Sequence, residues 1–153
     1  DSPTGGSADA LWQAKAILRD RFLAMNGDNL YARADMQECM KHEWAVGVHK
    51  TDTIRTGRVE FDKHFRIEAL KENSDHRGGA GWANTGLYAL DTRIFDYQPV
   101  QKAAGSPELG LPQTMMQAAK AIHIRAVPAS FWIEIKEPED LKKAEEILAK
   151  SDA

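Results

Sequence analysis

An α/β fold, with a mixed sheet flanked by helices, is what the 153-residue sequence predicts. Three features lead there. Stretches of helical periodicity alternate with short apolar runs; one pair of runs alternates polar with apolar around a polar turn; and no repeat or internal linker divides the chain. The first helix is expected over residues 7–21, capped by Ser7, with Asp9 near the positive end of its dipole and Leu11, Ala14 and Leu18 on one face. Phe22-Leu23-Ala24-Met25-Asn26 then reads as a buried strand that stops at Gly27-Asp28. Asp28 thus falls at a strand's carboxyl end, where open α/β sheets bind ligands. A short helix over 35–42 and a second buried strand at Ala45-Val46-Gly47-Val48 follow. Residues 58–61 and 66–70 form a hairpin around Asp62-Lys63-His64. Residues 82–90 form a strand in which Gly86 admits a close neighbour. A helix over 113–121, strands over 122–127 and 131–135, and a helix over 138–149 opened by Pro138 complete the chain.

Composition narrows the function classes. A chain of 17.0 kDa with 42% hydrophobic and 28% charged residues has enough apolar surface for one core. Its net charge of −3 gives no field to recruit nucleic acid or an anionic membrane. Cys39 is the sole cysteine, which rules out an intrachain disulfide, and no apolar run reaches the length of a membrane span or a signal-peptide core. A reducing cytoplasm is the expected location. The chain opens at Asp1 on a Pro/Gly/Ser stretch that reads as the middle of a loop, so a longer protein is expected.

The residues able to carry chemistry each admit two readings. Gly5-Gly6-Ser7 at a helix start can cradle a phosphate or base edge through backbone N–H groups, or be a turn before an ordinary cap. Asp28 suits a carboxylate holding Mg²⁺ against phosphates, or an Asx turn in Gly27-Asp28-Asn29. Glu72 can accept from sugar hydroxyls or end a strand in water. Glu134, between large apolar residues, either faces solvent or turns into a site as a metal ligand. The five histidines lack metal-ligand spacing, and there is no P-loop, nucleophile elbow or dinucleotide fingerprint.

In chain order, Gly6-Ser7-Ala8-Asp9-Ala10, Phe22 to Asp28, Thr56-Gly57-Arg58-Val59, Leu70-Lys71-Glu72-Asn73, Ala83-Asn84-Thr85-Gly86-Leu87-Tyr88 and Phe131-Trp132-Ile133-Glu134-Ile135 with Pro138-Glu139-Asp140-Leu141 resemble the sugar-1-phosphate nucleotidyltransferases, among them glucose-1-phosphate thymidylyl- and uridylyltransferases. The resemblance implies a Rossmann-like mixed sheet with an antiparallel hairpin insertion on the sugar side. It covers the C-terminal two-thirds of that fold, so residues 1–153 form a partial domain. It implies transfer of a nucleoside monophosphate from UTP or dTTP to a sugar 1-phosphate, with Mg²⁺ as cofactor. Gly6 and Ser7 would lie beside the nucleotide, and Gly57, Glu72, Asn84 and Thr85 beside the sugar phosphate. Asp28 and Glu134 would be the catalytic metal pair. Glu134 stands where the family has Asp, and Asn73 where it has Lys. The family's Gly-rich loop, with its Arg and Lys, has no match in this sequence. Two further expectations follow: a chain lacking that loop is inactive alone, and strands at Ala24 and Val46 lose neighbours, favouring a homo-oligomer or strand-exchanged dimer. The competing expectation is a non-catalytic binding or assembly module.

Overall fold

A computed structural model describes residues 5–71 and 79–151. The elements run α1 (Gly6–Gln13), β1 (Arg21–Met25), β2 (Asn29–Tyr31), α2 (Arg33–Cys39), β3 (Trp44–Thr51), β4 (Arg58–Phe61), β5 (Ile67–Lys71) and β6 (Gly81–Asp91). A 3-10 turn at Thr92–Asp96 leads to β7 (Val100–Gln101), β8 (Leu109–Gly110), α3 (Leu111–Gln117), β9 (Ile124–Pro128), β10 (Trp132–Glu134) and α4 (Pro138–Ser151). The main sheet has the order β5-β4-β6-β3-β9, with β1 also on β6, while β2–β10 and β7–β8 are separate two-stranded pairs. Among the described residues β3–β9 is the one parallel ladder and the others are antiparallel. The mixed sheet is therefore as expected, and the hairpin extends it through β4.

Alternation along the strands divides the core. Val46, Val48 and Leu90 join a cluster with Ile94, Leu111 and Met115 under α1 and α3. Ala45, Leu87 and Ala89 face the other way, where Cys39 and Met36 of α2 cover them. Burying a side chain the size of Leu or Ile contributes roughly 1.5–3 kcal/mol, so this two-sided sheet accounts for much of the fold's stability. Burial also pushes the Cys39 thiol up to about 12, with Asp35 and Glu38 adding to the effect. The reactive thiolate is accordingly scarce at neutral pH. We expect Cys39 to resist a disulfide-exchange reagent at pH 8 until denaturant unfolds the protein; rapid stoichiometric labelling of the native state would contradict this.

Several boundaries differ from the sequence-based expectation. The first helix stops at Gln13, and residues 14–18 continue as separate turns, because Asp20, at φ 48, reverses the chain into β1. Pairing with β6 overrides helical propensity there. β1 itself is half-buried: its outer edge meets no strand among the described residues, and Met25 is 51% exposed. By contrast Val46 loses no neighbour, since β3 lies between β6 and β9. At its far end the sheet closes on itself. Ala126 N–H donates to Phe65 O at 2.8 Å, and the Arg125 guanidinium donates to His64 O at 2.7 Å and stacks on the Phe65 ring.

Candidate functional site

The site is built around an irregularity in β6. The β3–β6 register shifts between Val46 and Val48, opposite Thr85-Gly86-Leu87, and Gly86 adopts φ +74. A side chain there would be strained, and its Cβ would lie 2.4 Å from Asn26 Nδ2. The bulge turns two carbonyls toward the β1–β2 loop. Gly86 O accepts from Asn26 N–H at 3.0 Å, and Thr85 O accepts from Asn29 Nδ2 and from the Tyr31 hydroxyl, each at 2.9 Å. The loop carrying Asp28 is thereby fixed to the sheet. The Thr85 hydroxyl is buried and donates to Gly47 O at 2.9 Å, so Thr85 offers the site its backbone only. Asn84 likewise braces its surroundings: Nδ2 donates to Tyr88 Oη at 2.8 Å and Oδ1 accepts from Gly86 N–H.

The β2–β10 ladder then brings the two ends of the chain together. Glu134 pairs with Asn29, and Ile135 N–H donates to Asp28 O at 3.0 Å. Asp28, on the turn just before β2, is thus one residue from Glu134's ladder partner and is tied across by its backbone carbonyl. Tyr31 reports on both: burial is the main cause of its raised pKa, and the Asp28 and Glu134 carboxylates push the same way. β10 is held in turn by Asp35, a buried carboxylate that accepts from Ser130 N–H at 2.9 Å, Ser130 Oγ at 2.8 Å and Phe131 N–H at 3.2 Å.

A cleft of about 400 Å³ lies beside this ladder, lined by Ser7, Gly57, Asn84 and Glu134 of the expected site residues. Gly6, Asp28 and Thr85 are not in its wall, and Glu72 lies outside the described residues. Gly6, at φ +79, packs so closely on β8 that a Cβ would meet Leu109 O at 2.5 Å. Ser7 sits inside α1 rather than capping it; its hydroxyl accepts from Leu111 N–H at 3.0 Å at the start of α3. Sequence reasoning missed the cations. Among the described residues, Arg55, Lys102 and Lys136 line the cleft with Glu108 and Glu134 as its acids, in a chain whose net charge is −3. Lys102 pairs with Glu108 at 3.1 Å and Lys136 with Glu134 at 2.9 Å. This wall is suited to a phosphorylated ligand.

A family model described as nucleotidyl transferase matches residues 1–151. The chain belongs to the nucleotidyl transferase family. It is 26% identical over 145 residues to the bifunctional protein GlmU of Methanocaldococcus jannaschii, covering 94% of this chain and 35% of that protein. It is 23% identical over 153 residues to the bifunctional IPC transferase and DIPP synthase of Archaeoglobus fulgidus, covering 97% of this chain and 29% of that protein. Among solved structures, the inositol-1-phosphate CTP transferase from T. maritima superposes with a TM-score of 0.71 at 18% identity, covering 96% of this chain and 62% of that one. That likeness extends the nucleotidyl transferase assignment to the fold. The chain spans about a third of the length of these curated relatives.

The donor set bears on Mg²⁺. Among the described residues, no three His, Cys, Asp or Glu side chains gather in a metal-binding array. Glu134 does, however, pair with Asn29, the residue after Asp28, and among the described residues Asn29 Oδ1 is buried without a hydrogen-bond donor. These are hard oxygen donors, and Mg²⁺ commonly takes one or two carboxylates while keeping several waters. Glu134, Asn29 and Asp28 are the oxygen donors that would hold such an ion here.

Proposed function

We propose that the full-length protein transfers a nucleoside monophosphate from a nucleoside triphosphate to a sugar 1-phosphate or a similar phosphorylated polyol, releasing pyrophosphate. What supports this reading is a cleft lined by Glu134 and three cations in a nucleotidyl transferase fold, with Asp28 one residue from Glu134's strand partner. In the reaction an oxygen of the acceptor phosphate attacks the α-phosphorus in line, and the bond to the bridging oxygen of the departing pyrophosphate breaks. No protein nucleophile is needed. Asp28 and Glu134 would hold Mg²⁺, which when bound offsets charge on the phosphates. Arg55 and Lys102 would orient those phosphates, and the α1 start at Gly6 and Ser7 would flank the nucleotide. Gly57 and Asn84, which also line the cleft, would flank the sugar, as would Glu72, which lies outside the described residues. The outer edge of β1 meets no strand among the described residues, and where no further segment covers it, it would favour self-association.

Pyrophosphate release by the full-length protein tests it, with UTP, dTTP or CTP paired with glucose 1-phosphate or inositol 1-phosphate. Mg²⁺-dependent turnover with at least one pair is expected. Silence across all pairs in a folded protein would favour a non-catalytic binding module.

A further inference from the structure

Glu134 ends β10, and Lys136 follows two residues later, the spacing that keeps side chains on one face of an extended chain. Both line the cleft, and Lys136 Nζ lies 2.9 Å from Glu134 Oε1. The Glu134 side chain is 15% exposed and that of Lys136 39%. A carboxylate so withdrawn from water needs a positive partner, whereas a partly exposed ammonium on a flexible stem changes partner at small cost. The backbone below is pinned: Lys136 N–H and Glu137 N–H both donate to the Asp140 carboxylate at 3.1 Å in the first turn of α4. Movement is thus left to the Lys136 side chain.

We propose that the Glu134–Lys136 ion pair is an exchangeable contact: a divalent cation that takes Glu134 releases the Lys136 ammonium to bind a phosphate dianion in the same cleft. The proposal rests on the reading of Asp28 and Glu134 as a metal pair. It gives Lys136 two measurable properties. Without phosphate, Lys136 competes with the metal for Glu134. With phosphate, metal and anion strengthen each other's binding by the same factor, as linkage requires.

The test measures Mn²⁺ binding to the full-length protein by electron paramagnetic resonance, without nucleotide, and then titrates inorganic phosphate with and without Mn²⁺. If the ion pair is closed about nine-tenths of the time, Lys136→Met should tighten Mn²⁺ binding roughly ten-fold, because the competent fraction rises to one. Phosphate binding in the presence of Mn²⁺ should weaken by a similar factor, and Lys136→Arg should retain most of it. Lys102→Met removes the same charge from the Glu108 side of the cleft and should change Mn²⁺ affinity less than two-fold. Unchanged Mn²⁺ affinity in Lys136→Met, or an equal gain in Lys102→Met, would overturn the exchange. If Asp28→Asn and Glu134→Gln weaken Mn²⁺ binding while Lys136→Met does not alter it, the exchange alone falls. If neither weakens it, the metal reading falls as well.

Discussion

Replacing Asp28 by Asn in the full-length protein should lower Mg²⁺-dependent turnover by more than the roughly 10–100-fold that loss of an outer partner of a metal ligand typically costs. Folding should be untouched. Asp28 is exposed on the turn between β1 and β2, and the hydrogen bond that ties it to Ile135 uses its backbone carbonyl, which Asn retains. Asn also serves an Asx turn as well as Asp does. Thermal unfolding without metal should therefore match the parent, or rise slightly where two carboxylates no longer repel. The combination is diagnostic because a structural role predicts near-silence in both assays, and a metal role predicts silence in one. Unchanged Mg²⁺ dependence of turnover would remove Asp28 from the site.

Asp35→Ala should do the reverse, damaging the fold first and the site through it. Asp35 is 7% exposed and accepts three hydrogen bonds from Ser130 and Phe131, so truncation strands two backbone N–H groups and a hydroxyl at the turn into β10. A hydrogen bond to a charged group is worth about 1.5–3 kcal/mol, and unsatisfied donors add to the loss, so a destabilisation of about 2–4 kcal/mol is expected. For a domain of this size that lowers Tm by roughly 5–15 °C. Asp35→Asn keeps one acceptor oxygen and should fall between. Since β10 carries Glu134, the folded fraction of Asp35→Ala should also bind Mn²⁺ more weakly. Calorimetry showing a loss below about 1 kcal/mol would mean the turn is held by something else.

The sheet was legible because its strands are apolar on a period of two or in unbroken runs, as at Ala45-Val46-Gly47-Val48, where local pattern and tertiary burial agree. The helix over 7–21 was over-long because Asp20 and the β1–β6 ladder are tertiary facts that Leu18 and Phe22 do not announce. Asp28 and Glu134 were visible as motif residues and the strand of Glu134 was expected, whereas its pairing with β2 was not: β2 has three residues, too short for a periodic signal. Asp35 resembled an ordinary acid in a helix's first turn, since its purpose lies in Ser130 and Phe131. Lys136 and Lys102 were not singled out, because a cleft wall assembled from β10 and the β7–β8 hairpin leaves no local trace. Ser7 was recognised as a capping residue but given to the wrong helix.

The closure of the sheet has a consequence for the order of folding. Hairpin β4–β5 and the turn between its strands join partners close in sequence, but the contacts of Phe65 with Ala126 and of His64 with Arg125 span nearly half the chain. Loop-closure entropy must be met before such contacts return any free energy. The hairpin can form early on its own, and β9 can pair with β3 only after α3 has crossed over the sheet. Loop closure therefore weighs heavily on the strap between them and on the Asp35 anchor, whose partner Ser130 lies 95 residues away. Seating β10, and with it Glu134, thus depends on contacts between distant parts of the chain.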